Sequence, residues 1–103
     1  MGGIEMTIDT TVAGTELNIV LEGRLDTNTA PELEAELKKS VEGITSLVID
    51  IEKLEYISSA GLRVLLSAHK IMAKQGTMVI KNVRDEVREI FEVTGFDEIL
   101  NIE

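Results

Sequence analysis

The chain has 103 residues, enough for one domain built round one core. Its net charge of −9, from 19 acids and 10 bases, argues against nucleic acid or an anionic lipid surface as partner and suits docking onto a basic protein surface. Without cysteine it has no disulfide, thiol nucleophile or Cys-type zinc site, and with 3% aromatics its core must be built from Leu, Ile, Val and Met.

No apolar run is long enough to cross a membrane. Met1-Gly2-Gly3-Ile4-Glu5 has neither the basic nor the apolar stretch of a signal peptide, and the expected location is the cytoplasm. Gly2 to Thr7 loosely fits an N-myristoylation pattern, but an unstructured start explains these residues better. One domain over residues 1–103 is expected, without linker or repeat.

Met6, Ile8 and Thr10 alternate with Thr7 and Asp9, as in a half-buried strand. Val12-Ala13-Gly14-Thr15 reads as a turn. Leu17, Ile19 and Leu21 form a second alternating strand, so the two predict a hairpin. Gly23 to Asn28 closes that strand. Thr29-Ala30-Pro31-Glu32 fits a capping box, followed by a helix with Ala30, Leu33, Leu37 and Val41 on one stripe and Gly43 at its end.

Leu47 to Ile51 is a nearly continuous apolar run, the pattern of a strand covered on both faces. A helix is predicted from Ser59 to about Gln75, stopped by Gly76. Met78 to Ile80 is another buried strand. Asp85 to Thr94 is a third helix, with Val87, Ile90, Phe91 and Thr94 on one face and Gly95 after it. Ile99, Leu100 and Ile102 suggest a last short strand. The order β-β-α-β-α-β-α-β predicts an α/β fold, a mixed and mostly parallel sheet with an N-terminal hairpin and helices packed on it.

The second helix sorts into a broad apolar arc, including Leu62, Leu65, Leu66, Met72 and Ala73, and a narrow polar stripe of Ser59, Arg63, Ser67, Lys70 and Lys74. No acid lies between Ser59 and Gly76, so the stripe is a basic exception in an acidic chain. Ser58, just before the helix, is placed to cap a backbone N–H, which leaves Ser59 exposed. Arg63, one turn on, can lean back towards a group carried on Ser59. Gly61 is expected to let another backbone or a phosphate approach. A phosphate here would meet free helix N–H groups and the positive end of the dipole.

Enzymatic readings find little support. The lone His69 falls within the apolar arc and reads as a packed or edge residue. Asp26 and Ser59 with that histidine would make a triad, but there is no Gly-x-Ser-x-Gly elbow and no P-loop. Asp50 is expected at a strand end, but the acidic pair of a phospho-accepting receiver domain is missing. Glu52, Asp85 and Glu86 read as solvated charges.

With Gly23-Arg24-Leu25-Asp26 and Ser58-Ser59-Ala60-Gly61-Leu62 both in place, the chain from about Ile4 to Glu103 resembles bacterial anti-sigma-factor antagonists, which are single STAS domains. The resemblance implies a non-enzymatic partner switch without a cofactor. The unphosphorylated antagonist binds an anti-sigma factor that is also a serine kinase, so releasing the sigma factor for transcription; phosphorylation breaks the complex and a serine phosphatase resets it. The family's phosphoacceptor falls on Ser59, and Asp26, Thr27, Ser58, Gly61, Leu62 and Arg63 are its implied docking neighbours. Many members carry Asp where this chain has Ser58. A weak homodimer is compatible with this reading. The alternative within the family is a scaffold subunit of a stress-sensing or transport complex that uses the same surface without phosphorylation.

Overall fold

The computed structural model describes residues 6–103. The Gly2 pattern and the start of the chain lie outside them. Strand β1 (Met6–Ala13) pairs antiparallel with β2 (Glu16–Leu25). Ala13 faces Glu16 across the pair, so the hairpin turn is only Gly14-Thr15, with Gly14 at φ +63°. The expected four-residue turn is therefore too long: Val12 and Ala13 still belong to β1. Helix α1 (Ala30–Ser40), strand β3 (Ser46–Ile57), helix α2 (Ser59–Gln75), strand β4 (Thr77–Lys81) and helix α3 (Asp85–Thr94) follow. The sheet order is β1-β2-β3-β4, with β2, β3 and β4 parallel.

Leu17, Ile19 and Leu21 of β2 and Leu47, Ile49 and Ile51 of β3 are buried. They share one core with Leu33 and Leu37 of α1, Leu65 and Met72 of α2, and Val87 and Phe91 of α3. The opposite side chains, Asn18, Val20, Val48, Asp50 and Val79, are half-buried or exposed. The described residues are only 19 Å thick, which fits one sheet and one layer of helices. This corrects the expectation that β3 is covered on both faces. Right-handed crossovers between successive neighbouring strands put α1 and α2 on the same side.

β3 is more than twice as long as its apolar run suggested. Its register against β2 shifts between Val20 and Glu22 and again between Gly23 and Arg24. Each shift gives β3 one extra residue, so the buried side chains after Ile49 are Ile51, Leu54 and Ile57. Two bulges turn a period of two into a period of three, which hides the strand from a reading by alternation. Asp50 is consequently mid-strand, not at an end. Its carboxylate accepts from the Glu52 N–H at 3.0 Å and the Asn82 side-chain amide at 3.1 Å.

Three helix ends also differ from expectation. Thr29 is helical (φ −96°, ψ −20°) and its side chain does not cap α1, so the box at Thr29–Glu32 does not form. α1 stops at Ser40, before Gly43. Gly76 ends α2 in extended backbone (φ 171°), so it is not there for a left-handed turn. A Cβ on Gly76 would run into the Thr45 backbone, whose carbonyl accepts from Thr77 N–H at 2.9 Å. Gln75 adds a brace, donating to the Val41 and Ile44 carbonyls at 2.8 and 2.6 Å. Within α2, Ala73 is exposed and not part of the core.

The last apolar cluster forms no strand. Phe96–Glu98 is a short 3-10 turn, Leu100 is buried, and Ile102 makes a single parallel bridge to Ile80. No helix among the described residues is long and apolar enough to cross a membrane.

Gly76→Ala must push apart backbone that cannot rotate away, so it is expected to cost about 1–3 kcal/mol of stability. A urea midpoint equal to that of the unmodified chain would disprove the close approach.

Candidate functional site

The site lies at the carboxyl ends of β2 and β3, where parallel sheets gather their loops. Arg24 and Leu25 face Tyr56 and Ile57 across the ladder. Beyond the last pair, the Ser58 N–H donates to the Leu25 carbonyl at 2.8 Å. That bond places the turn after β2 beside the start of α2. The Gly23–Asp26 and Ser58–Leu62 segments, far apart in the chain, form one surface.

Ser58 behaves as expected. It is extended (φ −98°, ψ 175°), its hydroxyl accepts from the Gly61 N–H at 3.4 Å, and its carbonyl accepts from the Leu62 N–H at 2.9 Å. Ser59 is the first residue of α2 and is exposed. Its hydroxyl has no hydrogen-bond partner among the described residues. Arg63 is also exposed, with no acidic partner among the described residues. The whole polar stripe of α2, through Ser67, Lys70 and Lys74, faces solvent.

Gly61 and Leu62 are buried and support the surface from below. A Cβ on Gly61 would lie 2.6 Å from Leu25 Cγ and 2.9 Å from Ile57 Cγ1. Its missing side chain lets α2 sit close to β2 and β3, so the close approach expected at Gly61 is made by the protein's own strands, and the space is not open to a phosphate.

The turn that carries Asp26 is built as a closed unit. The Asp26 carboxylate accepts from the backbone N–H groups of Asn28 and Thr29, each at 3.0 Å. The Thr29 hydroxyl accepts from the Asp26 N–H at 2.8 Å and donates to the Arg24 carbonyl at 2.8 Å. Ala30 N–H donates to the Asp26 carbonyl. This is a reciprocal box running from Asp26 to Thr29, three residues before the one expected. Thr29 is 2% exposed, the one buried polar side chain among the described residues. Thr27, on the outside of the turn, is exposed.

The Thr29 backbone N–H holds the Asp26 carboxyl below its ordinary value, against partial desolvation, with further help from Asn28, the Thr29 hydroxyl and Arg24. Arg24 Nε stands 3.8 Å from Asp26 Oδ2, and its guanidinium lies 4.4 Å from the centre of the Tyr56 ring. Neither Arg24 nor Tyr56 was among the expected site residues. Their only signal is position: each is one residue before a buried residue at a strand end, and so points away from the core. His69 is half-buried, as its place on α2 suggested.

A surface of an exposed hydroxyl, an anchored carboxylate and two arginines suits recognition better than catalysis. The STAS domain family model matches residues 5–103. The chain belongs to the STAS domain family. It is 43% identical over 84 residues to BtrV of Bordetella bronchiseptica, named as a candidate anti-sigma factor antagonist, covering 80% of this chain and 72% of BtrV. It is 33% identical over 89 residues to an anti-sigma-B factor antagonist of Listeria monocytogenes, covering 84% and 77%.

The fold of this STAS domain is similar to that of an anti-sigma factor antagonist from Mycobacterium paratuberculosis (TM-score 0.85, 23% identity, 94% and 84% covered). It is also similar to the Bacillus cell fate determinant SpoIIAA in its phosphorylated form (TM-score 0.73, 19% identity, 94% and 91% covered).

Thr29→Val would leave the Asp26 N–H and the Arg24 carbonyl without their partner. The expected loss is about 1–3 kcal/mol, read from urea denaturation. Because folding lowers the Asp26 pKa, its carboxylate favours the folded state above the unfolded value of about 3.9, and that contribution fades as pH falls through the folded value. Asp26→Asn should therefore lose less stability between neutral and acidic pH than the unmodified domain. An identical acid-side loss would remove Asp26 from the account.

Proposed function

We propose that this STAS domain is an anti-sigma-factor antagonist controlled by phosphorylation of Ser59. In its unmodified form it binds an anti-sigma factor with serine kinase activity and frees the sigma factor. A serine phosphatase returns the phosphorylated form to the cycle. The domain catalyses nothing and needs no cofactor, since ATP is the kinase's substrate.

The observation that carries the reading is the division of labour between the two serines. Ser58 is committed to the helix cap and the Leu25 bond, while Ser59 presents its hydroxyl to solvent at the first turn of α2. A kinase can take the Ser59 hydroxyl without breaking the fold. The names of the antagonists to which the chain is similar support the antagonist role. Thr27 from one loop, and Ser59 and Arg63 from α2, supply the exposed docking groups, with the half-buried Asp26 carboxylate anchored beside them and Gly61 and Leu62 holding α2 in place.

The switch needs no change of fold. Phosphate adds about −1.5 to −2 charge at neutral pH. Buried against a partner without compensation, that charge costs several kcal/mol. In the free protein, solvent, the N-terminal N–H groups of α2 and the Arg63 guanidinium one turn away can all stabilise it. The phosphorylated form is then stable and unable to dock.

Incubation with the genomically linked anti-sigma kinase and ATP should place phosphate on Ser59 by mass spectrometry. Ser58→Ala should still be modified and Ser59→Ala should not. Phosphate on Ser58, or none in either form, would refute the assignment. Ser59→Glu should bind the kinase at least about tenfold more weakly than the unmodified domain, about 1.4 kcal/mol, as measured by calorimetry.

A further inference from the structure

A groove runs along the outer surface between α1 and α2. Its upper part, about 320 Å³, opens between Thr27 and Arg63 beside the Ser59 turn. Its lower part, about 380 Å³, reaches Lys70 and Ile71. Glu34, Val64 and Ser67 line both parts, so the groove is continuous. From Ala60 to Ile71 it follows about three turns of α2, about 16 Å.

We propose that this groove seats an amphipathic helix with acidic flanks, carried by the anti-sigma partner. The proposal rests on the partner-switch reading above and extends its docking surface beyond the serine turn.

Three observations lead there. The floor is apolar, from Ala30 and Leu37 on one side and Val64, Ala68 and Ile71 on the other. Its walls are backbone-saturated helices. An extended peptide would find no free ladder there for its own N–H and C=O groups, whereas a helix satisfies its own. The valley between two packed helices also accepts the side-chain ridge of a third.

Charge decides the flanks. Arg63 and Lys70 border the groove without an acidic partner among the described residues. The acid on the facing wall, Glu34, is engaged by Lys38 at 3.7 Å. The groove is thus lined by unpaired positive charge in a chain of net charge −9. An acidic helix gains there and a basic one does not.

The geometry also extends the reach of phosphorylation. Ser59 stands one turn from Arg63, at the upper end of the groove. A phosphate on Ser59 engages Arg63 and adds negative charge where the acidic helix would enter. One modification then weakens both the serine surface and the groove.

The test uses the full chain and the anti-sigma kinase that phosphorylates Ser59. Hydrogen exchange on their complex should show protection along α1 and from Ser67 to Ile71, besides the Ser59 turn, and in an acidic amphipathic helix of the kinase. Lys70→Glu and Ser67→Tyr should each weaken binding about tenfold or more. Lys74→Glu, on the same stripe of α2 but not lining the groove, should change it less than twofold. Circular dichroism checks that each variant is folded. Weakening by Lys70→Glu should diminish as salt rises.

If no complex forms at all, the proposed function fails. If a complex forms with only the Ser59 turn protected, and Lys70→Glu and Ser67→Tyr bind normally, that function stands and the groove proposal is overturned. Protection of the groove in the isolated domain at high concentration, with self-association in sedimentation, would assign the groove to a second copy and also overturn it.

Discussion

The hydrogen bond from Ser58 N–H to the Leu25 carbonyl is the constraint on which the functional surface depends. It joins the last residue of β2 to the residue that caps α2. Gly61 makes it possible from below, because any side chain there would hold α2 off Leu25 and Ile57. The Asp26–Thr29 box holds the other half of the surface from the side, through the buried Thr29 hydroxyl and the Arg24 carbonyl. Ser58 and Gly61 are spent on these contacts, and Ser59 between them is left exposed.

In the proposed switch, this arrangement separates stability from signalling. The groups that hold the turn, Thr29, Ser58 and Gly61, are buried or half-buried, and their loss would disturb the fold. The groups available to a partner, Thr27, Ser59 and Arg63, are exposed and contribute little to it. A covalent charge can be added to the second set without disturbing the first. The uncovered face of the sheet contributes to the same end, because it leaves Arg24 and Tyr56 stacked at the rim of the site.

Local signals carried much of the fold. The alternation of β1 and β2, the length of α2 and the left-handed Gly95 after α3 follow from side-chain period and backbone freedom, which need only neighbouring residues. β3 was half hidden because its two bulges exist only against β2, and a bulge changes the period that a sequence reader looks for. The capping box was misplaced for a related reason. Thr29 satisfies the local pattern, but its hydroxyl finds better partners in the strand end it folds against. The tail from Ile99 to Ile102 has the composition of a strand, yet it reaches β4 at one residue only.

The order of elements as far as α3, the capping role of Ser58, the exposure of Ser59 and the basic stripe of α2 were determined by the sequence itself, because each depends on side-chain period and spacing within one segment. The one-sided sheet, the true reason for Gly61 and Gly76, the Asp26–Thr29 box and the α1–α2 groove were decided only by the tertiary structure. Each of these is a contact between segments, and its energy depends on which surfaces the chain brings within van der Waals or hydrogen-bond distance.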